Sequence, residues 1–188
     1  MSNPILIDFP DQIETERLIL RSTKPGDGKA LRQSVLESQS HLKDWMAWAV
    51  DIPDEEGYEK MERENHVAYL SRTNLMLVMI SKENGKMIGG TGYHNLDWDI
   101  PSFEIGYWLN PHYTGRGYVT EAVKALTDFA FDTLQAKRVE IRCDANNEKS
   151  VAVAERAGYT LDGTLKHNRR HHLTKELSST KIFSKVKG

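Results

Sequence analysis

The chain has 188 residues, 39% of them hydrophobic and 28% charged, which suits one domain with a sizeable core. A formal charge of -2 gives no bulk pull toward nucleic acid or an anionic membrane. The single cysteine, Cys143, excludes an internal disulfide and a thiolate-rich zinc site. No apolar run approaches the ~20 residues that span a bilayer. The opening MSNPILIDFPDQIETERLIL lacks the basic-then-apolar order of a signal peptide, so a single cytoplasmic domain over residues 1–188 is expected.

RLILRST (17–23) alternates apolar and polar residues as a half-buried strand does, and Pro25-Gly26 ends it. DGKALRQSVLES (27–38) has the pattern of a first helix. HLKDWMAWAVDIP (41–53) carries Trp45 and Trp48 before a proline and predicts an aromatic loop or short helix. The segment 54–72 predicts a second helix, with Tyr58, Met61, Asn65, Ala68 and Tyr69 on one face. NLMLVMIS and KMIGGTGYHNL follow as two strands around Asn84-Gly85, a pair suited to a tight hairpin with two positive-φ residues. SFEIGYWL (102–109) is a further strand, stopped at Asn110-Pro111. From Thr120 the residues Ala122, Val123, Leu126, Phe129, Ala130 and Leu134 recur at helical spacing. KRVEIRCD is a strand, NEKSVAVAERAG a short helix closed by Gly158, and YTLDGTLK and LSSTKIFSKV two last strands.

The stretch NPHYTGRGYVTEAVKAL sets two glycines, Gly115 and Gly117, just before the long helix. A strand, a glycine-rich turn and a helix N-terminus in succession form an anion site from unpaired amides and the positive end of the helix dipole. Absent Cβ atoms would let phosphate oxygens approach the main chain. A plain connecting turn is the other reading of a bare Gly-x-Gly. The spacing matches neither a Walker loop nor a dinucleotide fingerprint, since Thr120 stands where the third glycine would be.

EIGYWLNPHYTGRGYVTEAVKAL followed by CDANNEKSVAVAERAGYTLDGTLKH resembles the GNAT superfamily of acetyl-CoA-dependent N-acetyltransferases, and within it the RimJ/RimL ribosomal-protein acetyltransferases. ETERLILRS and GKMIGGTGY extend the resemblance over nearly the whole chain. It implies a mixed α/β fold: a mostly antiparallel, twisted sheet with helices on both faces. It implies acetyl-CoA as co-substrate, a primary amine as acceptor, no metal, no nucleic acid, no membrane, and it admits a homodimer. The cofactor loop falls on Thr114, Gly115, Arg116, Gly117, Tyr118, Val119 and Thr120, with Thr114 and Val119 departing from the family pattern. Two strands are expected to splay so that amides of Tyr107, Trp108 and Leu109 reach the pantetheine and the thioester carbonyl, an oxyanion-type role.

The resemblance also places a second motif on Asn147, Ser150, Ala154 and Gly158. The family's usual proton-donating tyrosine position is Ala154, which has no proton to give. Ser150 matches the serine of the RimJ/RimL-like branch as a donor to the leaving thiolate. Asn147 is equally a helix cap, and Ser150 equally a residue that satisfies a first-turn amide. Glu104 is the candidate base, with His94 in reserve, and an exposed strand glutamate is the plain alternative. Trp45, Trp48, His94 and Asn95 are assigned to the acceptor pocket, core packing being the alternative for the tryptophans. A glutamate proposed as base in RimL-like enzymes has Arg169 as its nearest match here, so that role does not carry over. HNRRHH (167–172) reads as a solvated basic loop. Protein N-termini and small amines such as polyamines or aminoglycosides stay open as acceptors, as does a non-catalytic acyl-CoA sensor.

Overall fold

The computed structural model describes residues 3–188. Its elements are β1 (Gln12–Glu14), β2 (Leu18–Ser22), α1 (Gly28–Leu42), α2 (Glu55–Leu70), β3 (Leu75–Ser81), β4 (Met87–Asp97) and β5 (Ser102–Leu109). There follow α3 (Tyr118–Asp132), β6 (Arg138–Asp144), α4 (Glu148–Arg156), β7 (Thr160–Arg170) and β8 (Leu177–Val186). The strands form one sheet in the order β1-β2-β3-β4-β5-β6-β8-β7. Every neighbouring pair is antiparallel except β5 and β6.

Strand alternation sorts the side chains to the two faces of this sheet. Leu18, Leu20, Leu75, Leu77, Met79, Ile105 and Ile141 are buried in one cluster with Val123, Leu126 and Ala130 of α3 and Val153 of α4. On the other face Val78 packs with Leu31 and Val35 of α1 and Tyr58 of α2. Helices therefore cover both faces, and the expected GNAT architecture is present.

The parallel pair is short. β5 and β6 share only the register Ser102–Arg138, Phe103–Val139 and Glu104–Glu140, after which they part. Beyond Glu104 the β6-facing edge of β5 has no strand partner, while its other edge stays paired to β4 through Leu109–Gly89. The expected splay thus opens between Ile105 and Leu109.

Several local expectations need correction. In the 82–85 loop only Gly85 takes a positive φ, of 69°. Asn84 instead accepts a hydrogen bond from the Lys86 amide at 3.1 Å, so the turn is longer than a two-residue one. Helix α3 starts at Tyr118, two residues before Thr120, because Gly117 (φ 82°) reverses the chain there. Met61 points outward, and the buried side chains of α2 are Tyr58, Glu62 and Tyr69. The segment HNRRHH is not a free loop: β7 runs to Arg170, with a register shift between Leu165 and Arg169 and a positive φ at His167. β1 was not foreseen, being three residues with little apolar pattern.

Candidate active site

The splay between β5 and β6 leaves a cavity of about 480 Å³. Trp45, Trp48, His94, Glu104, Gly106, Tyr107, Trp108, Asn147 and Ser150 all line it. A groove of about 400 Å³ shares Trp45, Tyr107, Trp108, Asn147 and Ser150 and continues past Leu109 to Thr114. Residues separated by a hundred positions in sequence are gathered here because β5, β6, α4 and the α1–α2 connection all end at the splay.

Glu104 and His94 face each other across the β4–β5 ladder, and Glu104 Oε1 lies 3.1 Å from His94 Nε2. Asn95 Nδ2 donates to Glu104 Oε2 at 2.9 Å, and Arg142 Nε stands 3.6 Å from the same oxygen. Burial pushes the Glu104 carboxyl upward. The hydrogen bonds from His94 and Asn95 and the neighbouring His94 and Arg142 charges outweigh it, and the net shift is below the usual carboxylate value. The carboxylate is ionised at neutral pH and only 13% exposed. A Cβ on Gly106 would collide with the His94 ring, closest to Cε1 and then to Nδ1. The bare glycine is what lets the imidazole lie over β5, with Cε1 and Nδ1 above Gly106. Asn95 does not line the cavity itself; it acts on Glu104.

Asn147 caps α4: its Oδ1 accepts from the Ser150 amide at 3.1 Å. The capping function therefore belongs to Asn147, and the Ser150 hydroxyl is spared for another partner. That partner is Tyr107, whose hydroxyl lies 2.8 Å from Ser150 Oγ. Burial drives the Tyr107 phenol well above its ordinary value, so it keeps its proton. Burial also raises the Cys143 thiol above its usual range, which leaves it unfit as a nucleophile near neutrality.

The glycine loop lies at the far end of the groove. Gly115 and Gly117 have φ of 76° and 82°, and no atom comes within 4 Å of a Cβ built on Gly115. Gly117 is the N-cap of α3 and has no side chain to bond the first-turn amides, leaving those of Tyr118, Val119 and Thr120 available. The Tyr118 ring itself is buried, beneath Arg17 at 4.6 Å, so only its main chain faces the loop. Arg17 also donates to the Arg116 carbonyl at 2.8 Å and pairs with Glu121 at 2.6 Å. The nearest acid of the helix is thereby turned away from the amides. Gly117 and Thr120 border a shallow depression with Lys124 and Arg156. Arg116 stands 5.9 Å from the Tyr113 ring, outside these cavities.

Arg142 and Asp144 line the cavity and Arg17 grips the glycine loop, and reading the sequence singled out none of the three. Strand alternation places Arg142 on one face with Glu140, but nothing local shows that β5 leaves that face open. Asp144 accepts from Arg169 at 2.6 Å and also from Ser178. His171 and His172 hydrogen-bond the carbonyls of Asp44 and Lys43, which ties the end of β7 to the tryptophan segment.

The groove opens where two parallel strands diverge and reaches Thr114, just before the glycine-started helix. The acetyltransferase (GNAT) domain family matches residues 17–160, and the chain belongs to it. It is an N-acetyltransferase. A Bacillus subtilis protein provisionally named a ribosomal N-acetyltransferase, YdaF, is 29% identical over 164 residues, which is 84% of this chain and 87% of that one. The ribosomal-protein-serine acetyltransferase of Escherichia coli is 28% identical over 152 residues, covering 81% and 84%. The solved structure of RimL, a ribosomal L7/L12 α-N-protein acetyltransferase in complex with coenzyme A, superposes with a TM-score of 0.86. Its sequence identity is 23%, over 93% of this chain and 97% of that one.

Proposed function

We propose that the protein moves acetyl from acetyl-CoA to the α-amine of a protein N-terminus by direct transfer in a ternary complex. The observation that carries this is the splayed β5–β6 seam, with a Glu104–His94 pair on one wall and a Tyr107–Ser150 pair on the other. The groove fits the co-substrate: open amides and positive φ at Gly115 and Gly117 suit a diphosphate, and the unpaired β5 edge and Asn147 suit an amide-bearing arm. Acetyl-CoA supplies the acyl group as a thioester.

An α-amine, with a reference pKa of about 8, is already partly neutral near pH 7. His94 Nδ1 receives its proton, and ionised Glu104 holds Nε2–H and stabilises the charged ring. Unpaired amides of β5 between Ile105 and Leu109 stabilise negative charge that develops on the acyl oxygen. The Tyr107 and Ser150 hydroxyls share a hydrogen bond in which either oxygen can donate, and Tyr107 also reaches the Ser150 carbonyl at 3.2 Å. In the proposed reaction Tyr107 takes the donor role, which frees the Ser150 hydrogen for the thiolate. The serine thereby replaces the donor that Ala154 cannot be.

Thiol release on mixing acetyl-CoA with N-terminal peptides tests the assignment; release without any effect of added peptide would leave only a sensor or a slow hydrolase. Ser150→Ala should slow the chemical step at least roughly tenfold with little change in melting temperature. Tyr107→Phe should cost less, and its cost should vanish in the Ser150→Ala background, because it acts only through the serine. Additive losses in the double variant would separate Tyr107 from the proton path. A fully active Ser150→Ala enzyme would remove the serine from it.

The walls near the base oppose a polyamine acceptor. Arg142 and Arg169 border the cavity beside the carboxylates, and both are more exposed than the acids they pair with. A polycation would meet guanidinium groups first.

A further inference from the structure

The two carboxylates in the cavity are withdrawn and the two guanidiniums are not. Asp144 is 5% exposed and is bonded by Arg169, Ser178 and the Asn146 amide. Glu104 is 13% exposed and is occupied by His94 and Asn95. Arg142 is 44% exposed and Arg169 37%. Each uses only part of its donor fork: Arg142 Nε on Glu140 and Glu104, and one terminal nitrogen of Arg169 on Asp144. Their remaining N–H groups have no hydrogen-bond partner among the described residues, and both side chains line a cavity whose own carboxylates are already engaged. The tryptophans at the mouth supply apolar surface but no acceptor for them.

We infer that the acceptor carries a carboxylate close to its reactive amine, and that Arg142 and Arg169 bind it. This rests on the acetyl-transfer function proposed above and specifies its substrate. Arg142 stands 3.6 Å from Glu104, so the anion must sit within a few bonds of the amine that His94 deprotonates. Arg142 and Asp144 lie two residues apart on one face of β6, about 7 Å along the strand, and Asp144 positions Arg169 there. A carboxylate reaching between them would accept from both forks, and no buried acid would have to move. Two sources share this chemistry: an N-terminal peptide with an acidic second residue, and a free amino acid.

The test compares kcat/KM by thiol release for the peptide amides Ser-Asp-Ala, Ser-Ala-Ala and Ser-Lys-Ala and for free serine, with acetyl-CoA binding measured alongside. Either carboxylate-bearing acceptor should exceed Ser-Ala-Ala roughly tenfold or more, the scale of a charge-assisted hydrogen bond, and which one does so identifies the source. Ser-Lys-Ala should be the poorest. Arg142→Gln with Arg169→Gln should bring the acidic and neutral peptides within about threefold of each other, and Arg169→Glu should favour the lysine peptide. Equal turnover of all four acceptors, or a preference for lysine in the unmodified protein, would overturn the inference and leave acetyl transfer standing. Bound acetyl-CoA with no acceptor turned over would overturn both.

Discussion

Glu104→Gln should lower turnover roughly 100-fold, at the low end of what the proton-accepting pair it forms with His94 would contribute, while acetyl-CoA affinity stays within about threefold. The amide keeps the shape of the carboxylate but cannot stabilise a charged His94 ring, and it offers Arg142 no charge. The pH dependence separates Glu104 from the groups that titrate near neutrality. Because the folded carboxyl is held below its usual value of about 4.3, it stays ionised across the neutral range, and rising activity there tracks the acceptor amine and the imidazole that must be free to take its proton. The variant should therefore lose amplitude while activity still rises with pH. Its stability contribution has a definite sign as well: it is complete above the ordinary carboxylate value and disappears as pH falls through the lower folded value. Turnover within twofold of the unmodified protein would move the base away from this pair.

Gly117→Val should raise the acetyl-CoA dissociation constant about 100-fold or more, an effect as large as that of Glu104→Gln but on binding instead of chemistry. The residue has φ 82°, where a branched side chain costs roughly 1–2 kcal/mol. For a chain of this size that corresponds to a fall in Tm of roughly 2–8 °C, so the protein remains folded at assay temperature. Arg17 Nη2 lies 3.5 Å from the added Cβ, an ordinary contact, so the cost comes from the backbone conformation. Isothermal calorimetry reads the affinity and a thermal melt reads the strain. Unchanged affinity with a lowered Tm would place the diphosphate elsewhere than on the α3 amides.

The elements with strong periodicity were legible in the sequence: β2, β3, β5 and α3 each bury the face that alternation or helical spacing marks. Where pattern was weak, tertiary contacts decided. β7 continues through His167 to Arg170 because β8 supplies the ladder, although a charged run with no apolar partner reads locally as a loop. Glu62 turns inward on α2 in place of Met61, a choice that periodicity alone would not make. In the site, the motif positions Asn147 and Ser150 line the cavity and the groove, which reaches Thr114, whereas Gly117 borders a separate depression. The pairing of Tyr107 with Ser150, the withdrawal of Asp144 and the grip of Arg17 on Arg116 each join segments far apart in sequence. No local signal could have shown them.

The three-rung seam between β5 and β6 has a mechanical consequence. It makes the sheet two panels, β1–β5 and β6–β8, hinged along Ser102–Glu104 and Arg138–Glu140. Parallel rungs are slightly weaker per residue than antiparallel ones, and three of them are few. Small rotations of the panels would change the width of the slot proposed for both substrates, with α3 and α4 as the strap behind it. Amide hydrogen exchange should find the seam amides less protected than those of the β3–β4 ladder, and acetyl-CoA should slow them although the groove proposed for it includes none of the seam residues. Protection of the seam equal to that of the flanking ladders in the free protein would mean that the slot is rigid before any ligand arrives.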